Sequence, residues 1–115
     1  MPLVALLLTV LVALLHLYFL VLEMFLWTAP LGLKTFRNTP EKAQVTRVLA
    51  ANQGLYNGFL AAGIVTGLML GQPLLVTFSL ACVVVAGLYG AWSVSRRIFF
   101  IQALPAIAAL VLRAF

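Results

Sequence analysis

The feature that most constrains this chain is a long apolar stretch that runs from Leu3 to about Trp27. Leu, Val, Ala and Phe fill most of that stretch, and the whole chain of 115 residues is 65% apolar and only 8% charged. A soluble domain carries roughly a quarter charged residues, so water would solvate this surface poorly. We therefore predict an integral membrane protein, because a helix of about 20 apolar residues spans the hydrocarbon layer.

Turn-forming and basic residues divide the chain into four predicted helices, which are expected to form one integral membrane domain over residues 1–115. Their expected ranges are about 3–27, 40–70, 74–93 and 97–111. Thr39 followed by Pro40 is typical of a helix start. Pro30 and Gly32 are expected to end the first helix, residues 71–73, Gly-Gln-Pro, are typical of a break, and Pro105 is expected to kink the last helix. The predicted fold is all-α, a four-transmembrane-helix bundle.

The basic residues indicate how this bundle is oriented. Six of the seven follow the first and third apolar stretches: Lys34, Arg37, Lys42, Arg47, Arg96 and Arg97. Cytoplasmic connections are rich in Lys and Arg, so both of these connections are predicted to be cytoplasmic and both termini to lie outside. The second helix, about 46 Å long at about 1.5 Å per residue, is expected to extend into the cytoplasm. The predicted location is the bacterial inner membrane, with several passes.

Polar side chains interrupt all four predicted helices at similar depths. These candidates for binding a ligand or a proton are His16, Glu23, Asn52, Gln53, Asn57, Tyr89 and Gln102. Counting about 1.5 Å per residue places most of them about 6 to 9 Å below the cytoplasmic boundary, and His16 and Asn57 about 15 to 16 Å below it. His16 and Glu23 are seven residues apart and share a helix face, and so do Gln53 and Asn57, which are four apart. We predict one polar layer, a pocket that opens to the cytoplasm.

Small residues predict close helix packing around the second helix. They recur every four residues in two rows about half a turn apart: Gly54, Gly58 and Ala62, then Gly63, Gly67 and Gly71. Ala86-Gly87 and Gly90-Ala91 predict a similar surface on the third helix. The second helix is therefore expected to be central.

Each polar residue also has a structural interpretation. Glu23 would serve structure alone if it reached the membrane interface or paired with Arg96 or Arg97. His16 would do so by bonding to a neighbouring helix. The amides would act as interhelical hydrogen bonds, worth about 0.6 to 2 kcal/mol each.

Several site classes are disfavoured by composition. A single cysteine, Cys82, excludes an internal disulfide. One histidine beside one carboxylate is too few for zinc or di-iron ligation, and haem held by His16 from two copies is a minor alternative, so we expect no metal and no cofactor. The expected partners are membrane lipid, a second copy of the chain and an unidentified small molecule, and no nucleic acid.

Three segments resemble a family of small bacterial four-helix membrane proteins of unknown function. They are HLYFLVLEMFLW at 16–27, LAANQGLYNG at 49–58 and QALP at 102–105. The resemblance covers essentially the whole chain, and NQGLYNG is its most specific part. It implies a multi-pass inner-membrane protein and no assigned chemistry.

Three functions remain open at this point. The first is binding or transport of a small molecule or cation, in which Glu23 exchanges protons for substrate. The small multidrug transporters are similar in having four helices and a glutamate in the first, although their glutamate lies nearer mid-helix and their charge bias is weaker. The second is a membrane-embedded enzyme, in which His16 and Glu23 transfer protons on a lipid-like substrate. The third is a structural or accessory subunit.

Overall fold

The computed structural model describes residues 2–115, in which every regular element is helical and no strand occurs. The elements are α1 (Leu3–Met24), α2 (Pro30–Phe36), α3 (Pro40–Met69), α4 (Pro73–Ser93), α5 (Arg96–Ile98), a π-helical turn (Phe99–Ala103) and α6 (Leu104–Arg113). The all-α prediction is therefore confirmed. By length and composition, two of the described helices, α1 and α4, are apolar enough to cross a bilayer, which indicates a membrane protein only weakly. Four spans and their orientation stay predictions.

The first helix and the connection after it differ from the sequence-based expectation. α1 ends at Met24 rather than near Trp27. Pro30, expected to interrupt the chain, instead begins α2, because a proline in the first helical turn loses no hydrogen bond. Arg37 then ends α2 in the left-handed conformation, with φ of 53°, and the N–H of Asn38 donates to a carbonyl in the preceding turn.

The long third helix begins and ends on local sequence signals. Thr39 Oγ1 accepts a hydrogen bond from the backbone N–H of Lys42 at 3.2 Å, which is the predicted N-cap. α3 ends at Met69, and Gly71 adopts a positive φ of 63° in the turn that follows. Gln72 N–H donates to the carbonyl of Gly67 at 2.8 Å and closes that turn.

The described chain divides into two compact units. The terminal unit contains the described residues up to Leu15 together with residues 60–115, and the central unit contains residues 16–59. The terminal unit has an apolar core in which three of the eight side chains are alanine: Val12, Ala13, Ile64, Val76, Leu80, Val83, Ala106 and Ala109. Such small side chains allow its helices to pack closely. The single-domain description of the chain stays a prediction.

The C-terminal stretch of the terminal unit is irregular just before Pro105. The turn Phe99–Ala103 is π-helical, and the N–H of Leu104 donates to the carbonyl of Phe99, five residues earlier. Pro105 lacks the N–H that a regular helix would use for the carbonyl of Ile101, so local widening of the helix is a structural response to that proline. The distortion that the sequence predicts here takes the form of a π-turn.

Glycines on α4 allow close packing within the terminal unit. A Cβ on Gly87 would lie 2.7 Å from the backbone nitrogen of Ala103, and one on Gly90 would lie 2.9 Å from Cγ2 of Ile98. The close-packing surface predicted for this helix is confirmed at both glycines. At the other end of the unit, Arg113 Nη2 donates to the carbonyl of Pro73 at 3.2 Å.

Candidate functional site

A carboxyl–amide pair lies inside the central unit, where α1 meets α3. Asn57 Nδ2 donates a hydrogen bond to Glu23 Oε1. Both residues are buried, with 5% of Glu23 and 9% of Asn57 exposed. These are the two predicted site residues that are joined by a hydrogen bond between their side chains, and they form the candidate site.

Two glycines explain why a short asparagine side chain reaches α1. A Cβ on Gly54 would lie 2.7 Å from Met24 Cγ and 3.1 Å from Glu23 Cβ, and one on Gly58 would lie 2.6 Å from Leu20 Cδ1. Real Cβ atoms do not approach so closely, so the hydrogen at each position lets α3 lie close to α1. The requirement is stricter at Gly54, which faces the Cβ of Glu23, than at Gly58, which faces only the flexible end of the Leu20 side chain. Asn57 is three residues after Gly54, so these two lie on the same side of α3, and both are buried. The packing row Gly54–Gly58 therefore positions the site.

Few interactions offset the desolvation cost of burying the Glu23 carboxyl. Within the central unit it forms no salt bridge, and its side-chain hydrogen bond is the one from Asn57. Arg96 and Arg97 belong to the terminal unit, so their pairing with Glu23 stays a prediction. A buried carboxylate without a cationic neighbour needs a counter-charge, because one amide N–H offsets only part of the desolvation cost. A proton or a small bound cation would supply it.

His16 is buried on the same helix but separated from the pair. It is 0% exposed, and its ring meets that of Phe19 edge-on, with centroids 5.4 Å apart. Seven residues of helix place His16 about 10 Å along the axis from Glu23. That separation is too long for a direct hydrogen bond, so α1 does not form a contacting histidine–glutamate pair.

The remaining predicted site residues are not part of this pair. Asn52 and Gln53 are exposed on α3, and within residues 2–115 neither side chain forms a hydrogen bond. Tyr89 is exposed on α4, and Gln102 is half-buried in the π-helical turn, so both belong to the terminal unit. The single polar layer contributed by all four helices stays a prediction.

A second polar contact in the central unit was not predicted from the sequence. Trp27 Nε1 donates to Thr46 Oγ1 at 3.1 Å, and the indole packs on the ring of Phe36 with centroids 4.8 Å apart. Thr46 Oγ1 also donates to the carbonyl of Lys42 at 2.8 Å. These contacts tie the turn after α1 to α2 and α3. The hydrophobic periodicity of the sequence does not predict these contacts, because they depend on where α1 ends.

The terminal unit carries a different kind of concavity. A shallow apolar groove of about 590 Å³ runs along α4, lined by Phe78, Ala81, Cys82, Val85, Ala86 and Tyr89. It contains no acid and no histidine. Within residues 2–115, no group of three or more His, Cys, Asp or Glu side chains is placed to hold a metal ion.

Comparisons with known proteins show what the sequence of this chain is similar to. The sequence model of a family described as a protein of unknown function, DUF1304, matches residues 10–114. The uncharacterized protein YpaA of Lactococcus lactis subsp. lactis (strain IL1403) is 29% identical over 115 residues, which cover 96% of this chain and 97% of that protein. No solved structure matches the chain. The predicted resemblance to a family of unknown function is thereby confirmed, and neither description mentions a membrane.

Proposed function

We propose that this chain, which belongs to the DUF1304 family of unknown function, is a membrane protein that binds a proton or small cation at Glu23 and transports it. One observation carries the proposal. The Glu23 carboxyl is buried, and its hydrogen-bond partner among residues 2–115 is the neutral amide of Asn57.

The composition around the pair supports a transport role over a soluble one. Glu23 lies next to the end of α1, one of the two helices apolar enough to span a bilayer. An ionisable residue within such a helix is expensive and commonly marks an ion or proton pathway. Asn57 donates through its amide nitrogen and still carries a carbonyl oxygen, so the pair offers a charged and a neutral oxygen to a cation.

The first test measures transport by the purified full-length chain in liposomes. Ethidium and guanidinium serve as probe cations, with a pH gradient across the membrane and a pH-sensitive dye inside. We expect probe movement coupled to proton movement, and loss of both in Glu23→Gln. Glu41→Gln is the matched control, because Glu41 is the other acid and lies in the first turn of α3. Coupled transport at the unmodified rate in Glu23→Gln would contradict the proposal.

A second measurement does not depend on the choice of probe. Infrared spectroscopy of the chain in lipid, recorded across a pH titration, detects a protonated carboxyl by its C=O stretch. We expect a titrating band that disappears in Glu23→Gln and persists in Glu41→Gln. A titration identical in the two variants would show that Glu23 does not take up a proton.

The other two functions make different predictions. An enzyme that uses His16 and Glu23 together would bind an apolar ligand with an affinity that changes in His16→Ala. A structural subunit would show changes in stability alone when Glu23 or Asn57 is replaced. The separation of His16 from Glu23 along α1 makes the first of these alternatives the weaker one.

A further inference from the structure

The N-terminal half of α3 carries an unpartnered face. It is formed by Val45, Leu49, Asn52, Tyr56 and Phe59, called the seam face below. Their spacing alternates between four and three residues, which keeps them on one stripe of a helix. The four apolar and aromatic members are between 57% and 84% exposed, and Asn52 is exposed as well.

The exposure of this stripe contrasts with the opposite side of the same helix. Ala50, Gly54 and Asn57 are buried, and the last two contact α1. α3 is thus packed on one side and bare on the other. The seam face also carries an aromatic pair, since the rings of Tyr56 and Phe59 meet at 77° with centroids 5.8 Å apart.

Exposure of the seam face is energetically unfavourable both in lipid and in water. In lipid, the Asn52 amide would lose its hydrogen bonds to solvent and gain none from the described residues. In water, the same stripe would expose a contiguous row of large apolar side chains, which marks an interaction surface. A protein surface that offers both apolar and amide groups would cover the apolar side chains and would also give the Asn52 amide hydrogen-bond partners. This holds wherever the membrane boundary crosses α3.

The chemistry of the face identifies a second copy of this chain as its occupant. The face carries no charge, so two identical faces do not repel. An asparagine amide has both donors and an acceptor, so Asn52 can pair with itself across a two-fold axis. In this spacing Asn52 is at a d position of the heptad. A buried amide needs a hydrogen-bond partner, so it favours the alignment that brings the two Asn52 side chains together. Two copies inserted the same way into a membrane also present α3 in parallel.

We propose that the seam face is a homodimer interface in which α3 packs in parallel against α3 of a second copy, with the two Asn52 amides hydrogen-bonded to each other. This proposal is independent of cation binding at Glu23, which lies on the other side of α3. It requires neither transport nor a titrating carboxyl.

Cysteine cross-linking of the full chain in lipid tests the contact. Cys82 is replaced by Ser, and single cysteines are introduced as Leu49→Cys or Tyr56→Cys. Mild oxidation is expected to yield a disulfide-linked dimer from either variant. Leu14→Cys on α1 and Val85→Cys on α4 are matched controls, 57% and 67% exposed but off the face, and should stay monomeric. Equal cross-linking at the controls, or none at either seam position, would overturn the interface.

The direction of packing has its own readout. In a mixture of Val45→Cys and Phe59→Cys chains, a parallel pair is expected to give only the two homodimers. A prominent Val45–Phe59 heterodimer would mean an antiparallel pair and would overturn the proposed arrangement.

The role of Asn52 is tested by dimer affinity, measured by energy transfer between labelled chains diluted in lipid. Asn52→Leu is expected to raise the dissociation constant about 3- to 30-fold, the effect of one interhelical hydrogen bond in a membrane. Asn38→Leu removes an amide outside α3 and should leave the constant unchanged. Circular dichroism of both variants checks that the helices are intact. An Asn52→Leu dimer as tight as the unmodified one would exclude the amide pair.

Discussion

The Glu23 carboxyl is held by one amide, so at the scale of single residues the pair should be energetically coupled. Asn57→Ala is expected to lower the free energy of unfolding by about 1 to 3 kcal/mol, because it leaves a buried carboxyl without its hydrogen bond. In a double-mutant cycle with Glu23→Ala, the coupling energy is expected to be about 1 kcal/mol. Denaturant titration in micelles, followed by circular dichroism, measures both quantities.

The matched control for this cycle is Asn52→Ala, the same substitution on the same helix. Asn52 is exposed and does not contact Glu23, so its effect should add to that of Glu23→Ala. A Glu23–Asn57 cycle that is also additive would show that the observed hydrogen bond contributes nothing to stability.

The sequence predicted which residues belong to the site better than it predicted which of them contact each other. Glu23 and Asn57 were both candidates, since each interrupts an apolar helix. Gln53 was expected to share the inward face of Asn57, because the two are four residues apart. They still differ by about 40° around the axis, and the boundary between the buried and exposed sides of α3 falls between them. Only the rotation of α3 against α1 decides which one is buried.

At the scale of elements, glycines allow helices to pack closely. The atoms next to each glycine determine how much stability is lost when a side chain is added there. A Cβ on Gly87 would meet the backbone nitrogen, Cα and Cβ of Ala103, whereas one on Gly58 would meet only the tip of the flexible Leu20 side chain. Gly87→Ala is therefore expected to lower the free energy of unfolding by about 1 to 3 kcal/mol, the usual cost of overpacking.

Gly58→Ala is the matched comparison, because both glycines are inside helices. Alanine favours a helix over glycine by about 1 kcal/mol, which should offset most of the cost of moving Leu20. Denaturant titration of the two variants should therefore separate them clearly. Equal destabilisation would mean that the contact of α3 with α1 is as rigid as that of α4 with the π-helical turn.

Sequence signals predicted the end of a helix correctly where that end depends only on neighbouring residues. Thr39 and Pro40 mark the start of α3 through capping and a fixed φ, which require no tertiary contact. Pro30 and Gly32 were interpreted as helix breakers, yet both lie in α2. A Cβ on Gly32 would fall 1.9 Å from the carbonyl oxygen of Leu26, so this glycine provides close packing rather than a break. That role depends on the turn after α1, which sequence periodicity does not describe.

At the scale of the whole molecule, the distribution of basic residues favours four spans over two. If only α1 and α4 crossed the membrane, four of the seven basic residues would lie on one side and three on the other. Four spans place six of them together, in agreement with the positive-inside rule. α3 is less apolar than α1 because it contains Asn52, Gln53 and Asn57. A partner for the seam face would compensate for Asn52, and the hydrogen bond to Glu23 compensates for Asn57.

Labelling of single cysteines in membrane vesicles distinguishes the two topologies. In a Cys82→Ser background, Asn38→Cys, Gln72→Cys, Ser95→Cys and Ala114→Cys each place a thiol beside a different helix end. Four spans predict that Asn38 and Ser95 positions react from the cytoplasmic side and the other two from outside. Two spans instead place Asn38 with Gln72, and Ser95 with Ala114. The side on which Gln72→Cys reacts therefore decides whether α3 crosses the bilayer, because α3 is the helix that separates it from Asn38.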